Sequence, residues 1–218
     1  PFSKWKLFTS IDFFSFPWWK YRVDNSSWGT DAMFQATYTA NKKLNMYFRY
    51  RYKKKDRNYT GEDKMKSVIP LYQHKMRYQL RYTASQTISF RTTLDYTRVN
   101  PSGVPASEGF QVVQTFACNF PSLPIVMELH AGYFNTDDYD SRVYSYEKGL
   151  LYSFYSPSFY GEGNRFTANI RYNINKNMML IAKLGLTKYY DREAIGSDWD
   201  EINGSKQTDF QLQFRAKF

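Results

Sequence analysis

The sequence predicts an all-β fold, a transmembrane antiparallel up-and-down barrel of about 10–12 strands. Three observations predict it. Apolar and polar residues alternate with a period of two along most of the 218 residues, and no comparable stretch repeats at helical spacing. Short and long connections largely alternate, as in a barrel with tight turns on one rim and long loops on the other. Aromatic residues make up 20% of the chain, apolar surface that a disordered tail or linker would leave unburied.

Eleven strands follow from the alternation, in one domain over residues 1–218. The first runs from Lys4 to Phe13 and the second from Phe34 to Ala40. In the third, Met46, Phe48, Tyr50 and Tyr52 alternate with Tyr47, Arg49, Arg51 and Lys53; in the fourth, Met76, Tyr78, Leu80 and Tyr82 alternate with Lys75, Arg77, Gln79 and Arg81. Ile88, Phe90, Leu94 and Tyr96 alternate with Ser89, Arg91, Thr93 and Asp95. Weaker alternation marks 110–120 and 125–133, and a strand is expected over Val143 to Tyr155. Phe166, Ala168, Ile170 and Tyr172 then alternate with Thr167, Asn169 and Arg171, and Leu180 to Leu186 follows. Phe210, Leu212, Phe214, Ala216 and Phe218 end the chain, alternating with Gln211, Gln213, Arg215 and Lys217.

Short connections are read at 41–43, 85–86, 120–124 and 173–177, long ones at 17–31, 54–72, 100–108, 136–142 and 191–206. The segment 156–163 breaks the rule, because a short turn belongs there. Either it hides a further strand or one loop is misassigned. Bacterial single-chain barrels usually have an even strand count. An odd count, with Pro1 in place of Met, therefore predicts that N-terminal strands are missing and that this is the C-terminal part of a larger barrel.

Alternation alone does not say which face meets water. Long cations on nearly every polar face, apolar faces of uniform bulk, and aromatic strand ends favour lipid outside over a soluble sandwich. The aromatic ends are Phe16, Trp18, Trp19, Tyr21, Tyr133, Phe134, Tyr189 and Tyr190, expected in interfacial girdles. Mean hydropathy is −0.65 and no uninterrupted apolar run approaches the length of a membrane helix. Strands are the remaining way across.

The polar face is expected to line a lumen with Arg49, Arg51, Lys53, Lys75, Arg77, Arg81, Arg91, Arg171, Lys183 and Arg215, opposed by Asp12, Asp95, Glu128, Glu147 and Asp209. Such a wall either favours anions or is knitted shut by ion pairs. The lipid-facing set is Phe48, Tyr50, Tyr78, Leu80, Phe90, Leu94, Ile170, Tyr172, Leu212 and Phe214. The net charge of +10 agrees with an anionic partner, and the basic stretch 53–57 offers contacts for lipopolysaccharide phosphates.

At its last strand the chain resembles bacterial outer-membrane barrels, whose terminal aromatic and alternating apolar residues form an assembly signal; the matching positions are Phe210, Leu212, Phe214 and Phe218. More narrowly, residues 12–18, 159–165 and 191–197 resemble Bacteroidota barrels fused behind a helix-hairpin-helix, competence-protein-like region. The resemblance implies the outer membrane of a Gram-negative bacterium and the barrel-assembly machinery as an insertion partner. Nucleic acid is implied only through the helix-hairpin-helix region, which these residues lack.

Enzyme chemistry is not expected. No nucleophile elbow, zinc-protease helix, P-loop or dinucleotide fingerprint occurs, and His74 and His130 are the only histidines. Asp137, Asp138 and Asp140 lack the glycine and distal glutamate of a calcium loop, so neither metal nor cofactor is expected. The single Cys118 excludes an internal disulfide. Three functions remain: a conduit for anionic or polymeric cargo, a non-conducting docking subunit for other outer-membrane or periplasmic proteins, and, distantly, an outer-membrane hydrolase.

Overall fold

The computed structural model describes residues 4–60 and 66–217. Fourteen strands form in chain order. The first seven are β1 (Trp5–Phe16), β2 (Ser27–Asn41), β3 (Leu44–Thr60), β4 (Lys66–Thr83), β5 (Ile88–Pro101), β6 (Ser107–Phe120) and β7 (Ile125–Thr136). A two-residue pair, β8 (Val143–Tyr144) and β9 (Ser158–Phe159), precedes β10 (Glu162–Asn173) and β11 (Met178–Tyr189). A second small pair, β12 (Ala194–Ile195) and β13 (Ile202–Asn203), precedes β14 (Lys206–Ala216).

Ten of these strands make one antiparallel sheet in chain order, β1-β2-β3-β4-β5-β6-β7-β10-β11-β14. Every neighbour is the next long strand, so the topology is up-and-down throughout. β1 and β14 are its two edges and do not pair with each other. The tight turns at 42–43, 84–87, 121–124 and 174–177 all lie on one rim, and the remaining connections lie on the other.

Two expectations are corrected. The stretch 54–72 is mostly strand: Lys54 to Thr60 pairs with Tyr72 to Lys66, lengthening the β3–β4 hairpin, and only its tip at 61–65 lies outside the described residues. The expected strand over Val143 to Tyr155 does not join the sheet. Apart from the two residues of β8, it is loop, and 137–161 forms one long connection from β7 to β10. Removing that strand takes the count from eleven to an even ten and resolves the break at 156–163.

Pairing register assigns the faces, since directly opposed residues share one side. Arg49 opposes Gln35 and Arg77, Arg77 opposes Asp95, and Asp95 opposes Gln111. The same side continues through Gln111–Phe134, Thr115–His130, His130–Thr167, Asn169–Lys183 and Lys183–Gln211. On the other side Phe90 opposes Phe116, Phe116 opposes Leu129, and Leu184 opposes both Ala168 and Phe210.

Burial is the reverse of a soluble sandwich. Gln111, Thr115, His130, Arg165, Thr167, Asn169, Lys183 and Thr187 are buried, while Phe166, Ile170, Leu184, Leu186, Phe210, Leu212 and Phe214 are exposed. A small apolar cluster of Phe134, Val143, Phe159 and Tyr189 sits at the long-loop end of the polar face. Phe134 stacks on Phe159 with centroids 5.0 Å apart and meets Tyr189 edge-on at 5.6 Å. Phe134 and Tyr189 therefore hold the long connection to the wall, which corrects their expected place in an outer girdle. Trp18, Trp19 and Tyr21 are exposed beyond the end of β1.

Candidate functional site on the polar face

The connection 137–161 folds back across the polar face. Its alternation is real, for Ser141, Val143 and Ser145 are buried between more exposed residues. Yet it finds few backbone partners. Side chains of the wall take that place: Gln111 Nε2 donates to the Tyr144 carbonyl at 2.8 Å, and Asn169 Nδ2 donates to that of Lys148 at 3.3 Å. Gln213 accepts from the Leu151 N–H at 2.8 Å and returns a bond to its carbonyl at 3.2 Å. Amide side chains suit this role, since each carries both a donor and an acceptor.

At the loop's anchor Glu147 is wholly buried, with Oε1 2.8 Å from Arg165 Nε and Oε2 2.8 Å from Lys183 Nζ. Arg165 also donates to Asp209 at 2.6 Å and to Thr187 at 3.0 Å. One guanidinium thus ties β10 to the loop, to β11 and to β14. Gly185 makes the room, because a Cβ there would meet the Asp209 carboxylate and the Arg165 guanidinium. A buried charge needs this number of partners, as taking it out of water costs several kcal/mol by itself.

All ten predicted cations share this face by register, but they divide into two groups. Arg77 pairs with Asp95, Arg91 with Glu128, and Lys183 with Glu147. Arg51 and Lys53 share Asp31, at 2.6 and 3.1 Å. Arg49 is bound by Gln35, and Arg215 lies 5.9 Å from the Tyr152 ring. Arg81 stands directly across from Arg91, and Arg171 across from Ile181 and Val126. Lys75 makes no ion pair among the described residues; its nearest ring is Tyr144, at 5.5 Å.

The ten predicted apolar residues, Phe48, Tyr50, Tyr78, Leu80, Phe90, Leu94, Ile170, Tyr172, Leu212 and Phe214, share the opposite face by the same register. Phe210, Leu212 and Phe214 are exposed on edge strand β14; Phe218 lies outside the described residues.

Sequence reasoning missed Arg165 as the hub and placed Glu147 on a strand. His130 Nε2 contacts Ser145 Oγ at 3.0 Å, and Glu128 goes to Arg91. The Ser145–His130 pair has the spacing of a nucleophile and base, but Ser145 is 2% exposed and His130 Nδ1 has no partner among the described residues. A triad needs a third group there to orient the ring. His74 lies on the apolar face, its Nδ1 2.8 Å from Tyr50 Oη. In the acidic loop Asp138 Oδ1 accepts from Ser107 Oγ and from the Asp140 N–H, and Asp140 pairs with Arg57 at 2.6 Å. These carboxylates shape the loop.

No protein-family model matches the chain, and no curated protein matches it either.

Proposed function

We propose that this chain is an outer-membrane β-barrel, or the C-terminal ten strands of a larger one, and that it serves as a conduit for anionic solutes narrowed by the loop 137–161. The inverted burial carries this reading. A monomer in water rarely leaves an apolar patch beyond a few hundred Å² uncovered. Here most of one side of a ten-stranded sheet is apolar and uncovered, while Arg165 and Lys183 are buried on the other. Hydrocarbon is the environment that makes both sides favourable.

The same environment requires closure, because unpaired backbone groups at a sheet edge cost several kcal/mol each in lipid. β1 and β14 therefore pair with each other or with further strands in the working protein. Curvature is supported by the loop itself. Tyr146 packs 4.3 Å from Arg77 on β4, and Leu151 bonds to Gln213 on β14, six strand positions away. Six positions are roughly 29 Å on a flat sheet, at about 4.8 Å each, while five residues extend at most about 17 Å, the difference being met by curvature together with the reach of the three side chains. The earlier resemblance to Bacteroidota barrels fits this reading, and insertion by the barrel-assembly machinery follows from it.

Planar-bilayer recording of the full-length protein tests the conduit. Anion-selective current is expected, because most of the wall charges without an opposite partner among the described residues are cationic. A protein that inserts but conducts nothing would move the assignment to a docking subunit. The exposed Trp18, Trp19, Tyr21, Phe154 and Trp199 supply aromatic anchors for that second reading, and co-purification of stoichiometric partners would favour it.

A further inference from the structure

Five cations converge on the polar face between β3, β4 and the start of the crossing loop: Arg51, Lys53, Lys55, Lys75 and Arg142. The only carboxylate paired with any of them among the described residues is Asp31. The fold brings them together against their own repulsion. Arg51 stands directly opposite Lys75, and like charges across a strand pair are destabilising. Arg51, Lys53 and Lys55 line one recess with Lys75, and Arg51 and Arg142 line the other with it. The Arg142 guanidinium is held in place by neutral oxygens, donating to the Tyr139 carbonyl at 2.7 Å and to Tyr144 Oη at 3.0 Å.

Two recesses open on this cluster and share Arg51 and Lys75. One, of 190 Å³, is lined by Arg51, Lys53, Lys55, Gln73 and Lys75. The other, of 140 Å³, adds Arg49, Arg142 and the tyrosines 144 and 146, with the Arg77–Asp95 ion pair in its wall. On the opposite side of the sheet's polar face the cations are matched, Arg165 and Lys183 by Glu147 and Asp209. Cations without an acid also stand at Arg81, Arg171 and Arg215, but here several are gathered around two adjoining recesses.

We propose that this cluster is a binding site for a soluble anion carrying two or more phosphate groups. The inference rests on the conduit reading and deepens it, naming the class of solute that the wall would receive. Several point charges from lysine with fixed guanidinium donors suit tetrahedral oxyanions, and two adjoining recesses suit a ligand with linked phosphates. The site stands beside the free end of the loop connection, where a solute entering from the long-loop rim would meet it first.

Inorganic tripolyphosphate is the probe, titrated calorimetrically into the full-length protein in neutral phosphatidylcholine nanodiscs. Saturable binding is expected, and each of Lys55→Gln and Lys75→Gln is expected to weaken it about tenfold or more. Lys176→Gln and Lys217→Gln, at the tight-turn rim, each remove the same charge and are expected to leave affinity unchanged. Without ligand, the Lys55 and Lys75 variants should be as stable as the parent or more so, since repulsion is relieved; tripolyphosphate should raise the melting temperature of the parent and of the control more than that of the Lys55 and Lys75 variants. Equal weakening in the control pair would reduce the effect to net charge and overturn the site, as would destabilisation of the ligand-free variants. Phosphatidylglycerol in the discs should not compete; competition would assign the cluster to lipid headgroups and overturn a soluble ligand. Anion conduction without saturable tripolyphosphate binding would sink this site alone, whereas failure to insert in any bilayer would sink the barrel reading.

Discussion

Glu147 is where the loop is fastened to the wall. Burial by itself would raise its carboxyl, but hydrogen bonds from Arg165 and Lys183 outweigh that and hold it below the ordinary value of 4.5. A carboxyl lowered on folding contributes stability above its unfolded pKa and loses it as pH falls through the folded one. Loop anchoring is therefore expected to be constant from neutral pH down to about 5 and to fail only well below 4.5. Limited proteolysis at residues 150–156 across that range would read it. Replacing Glu147 by Gln leaves Lys183 buried without its acid, while Arg165 keeps Asp209. Breaking a buried pair from one side costs about 3–5 kcal/mol. Glu147→Gln is expected to lower the unfolding free energy in detergent by a figure of that order and to speed cleavage of the loop. Unchanged cleavage would mean that the cluster of Phe134, Val143, Phe159 and Tyr189 holds the loop without it.

The strands carry their argument in the apolar face, and β11 tests it. Leu184 lies near the middle of β11, exposed, between Ala168 and Phe210. Leu184→Arg is expected to cost about 2–4 kcal/mol when unfolding is measured from phospholipid vesicles, the penalty of a cation near the bilayer midplane. On a surface facing water the same change would be nearly neutral. Strand existence and facing were legible in the sequence, because a period of two is imposed residue by residue: the ten basic and ten apolar positions each fall on one side. Only the outer part of the β3–β4 hairpin, 54–72, was read as loop, because its charged and polar residues interrupt the alternation; the pairing nonetheless continues from Lys54–Tyr72 to Thr60–Lys66. Val143 to Tyr155 failed the other way. Its first part, 143–149, alternates in burial as a strand does, but the segment's hydrogen bonds to the wall go to Gln111, Asn169 and Gln213, and local sequence does not encode the partner. Arg165 was invisible as a hub for a similar reason, since its partners lie on three separate segments.

At the scale of the molecule, a net charge of +10 is unevenly spent. Around Arg165 it is neutralised and locks the loop; between β3 and β4 it stays open to an anion. Two unpaired edges, β1 and β14, set the requirement that the sheet be closed in lipid. Both the anion conduit and the tripolyphosphate site depend on one prior claim, that the side bearing Leu184 meets hydrocarbon. Nitroxide scanning of residues 182, 183, 184, 186 and 187, one cysteine at a time in a Cys118→Ser background in nanodiscs, tests it most directly. The account predicts that labels at 182, 184 and 186 are relaxed strongly by oxygen and poorly by a water-soluble nickel chelate, with 183 and 187 shielded from oxygen. Strong relaxation by the nickel chelate at 182, 184 and 186 would contradict it.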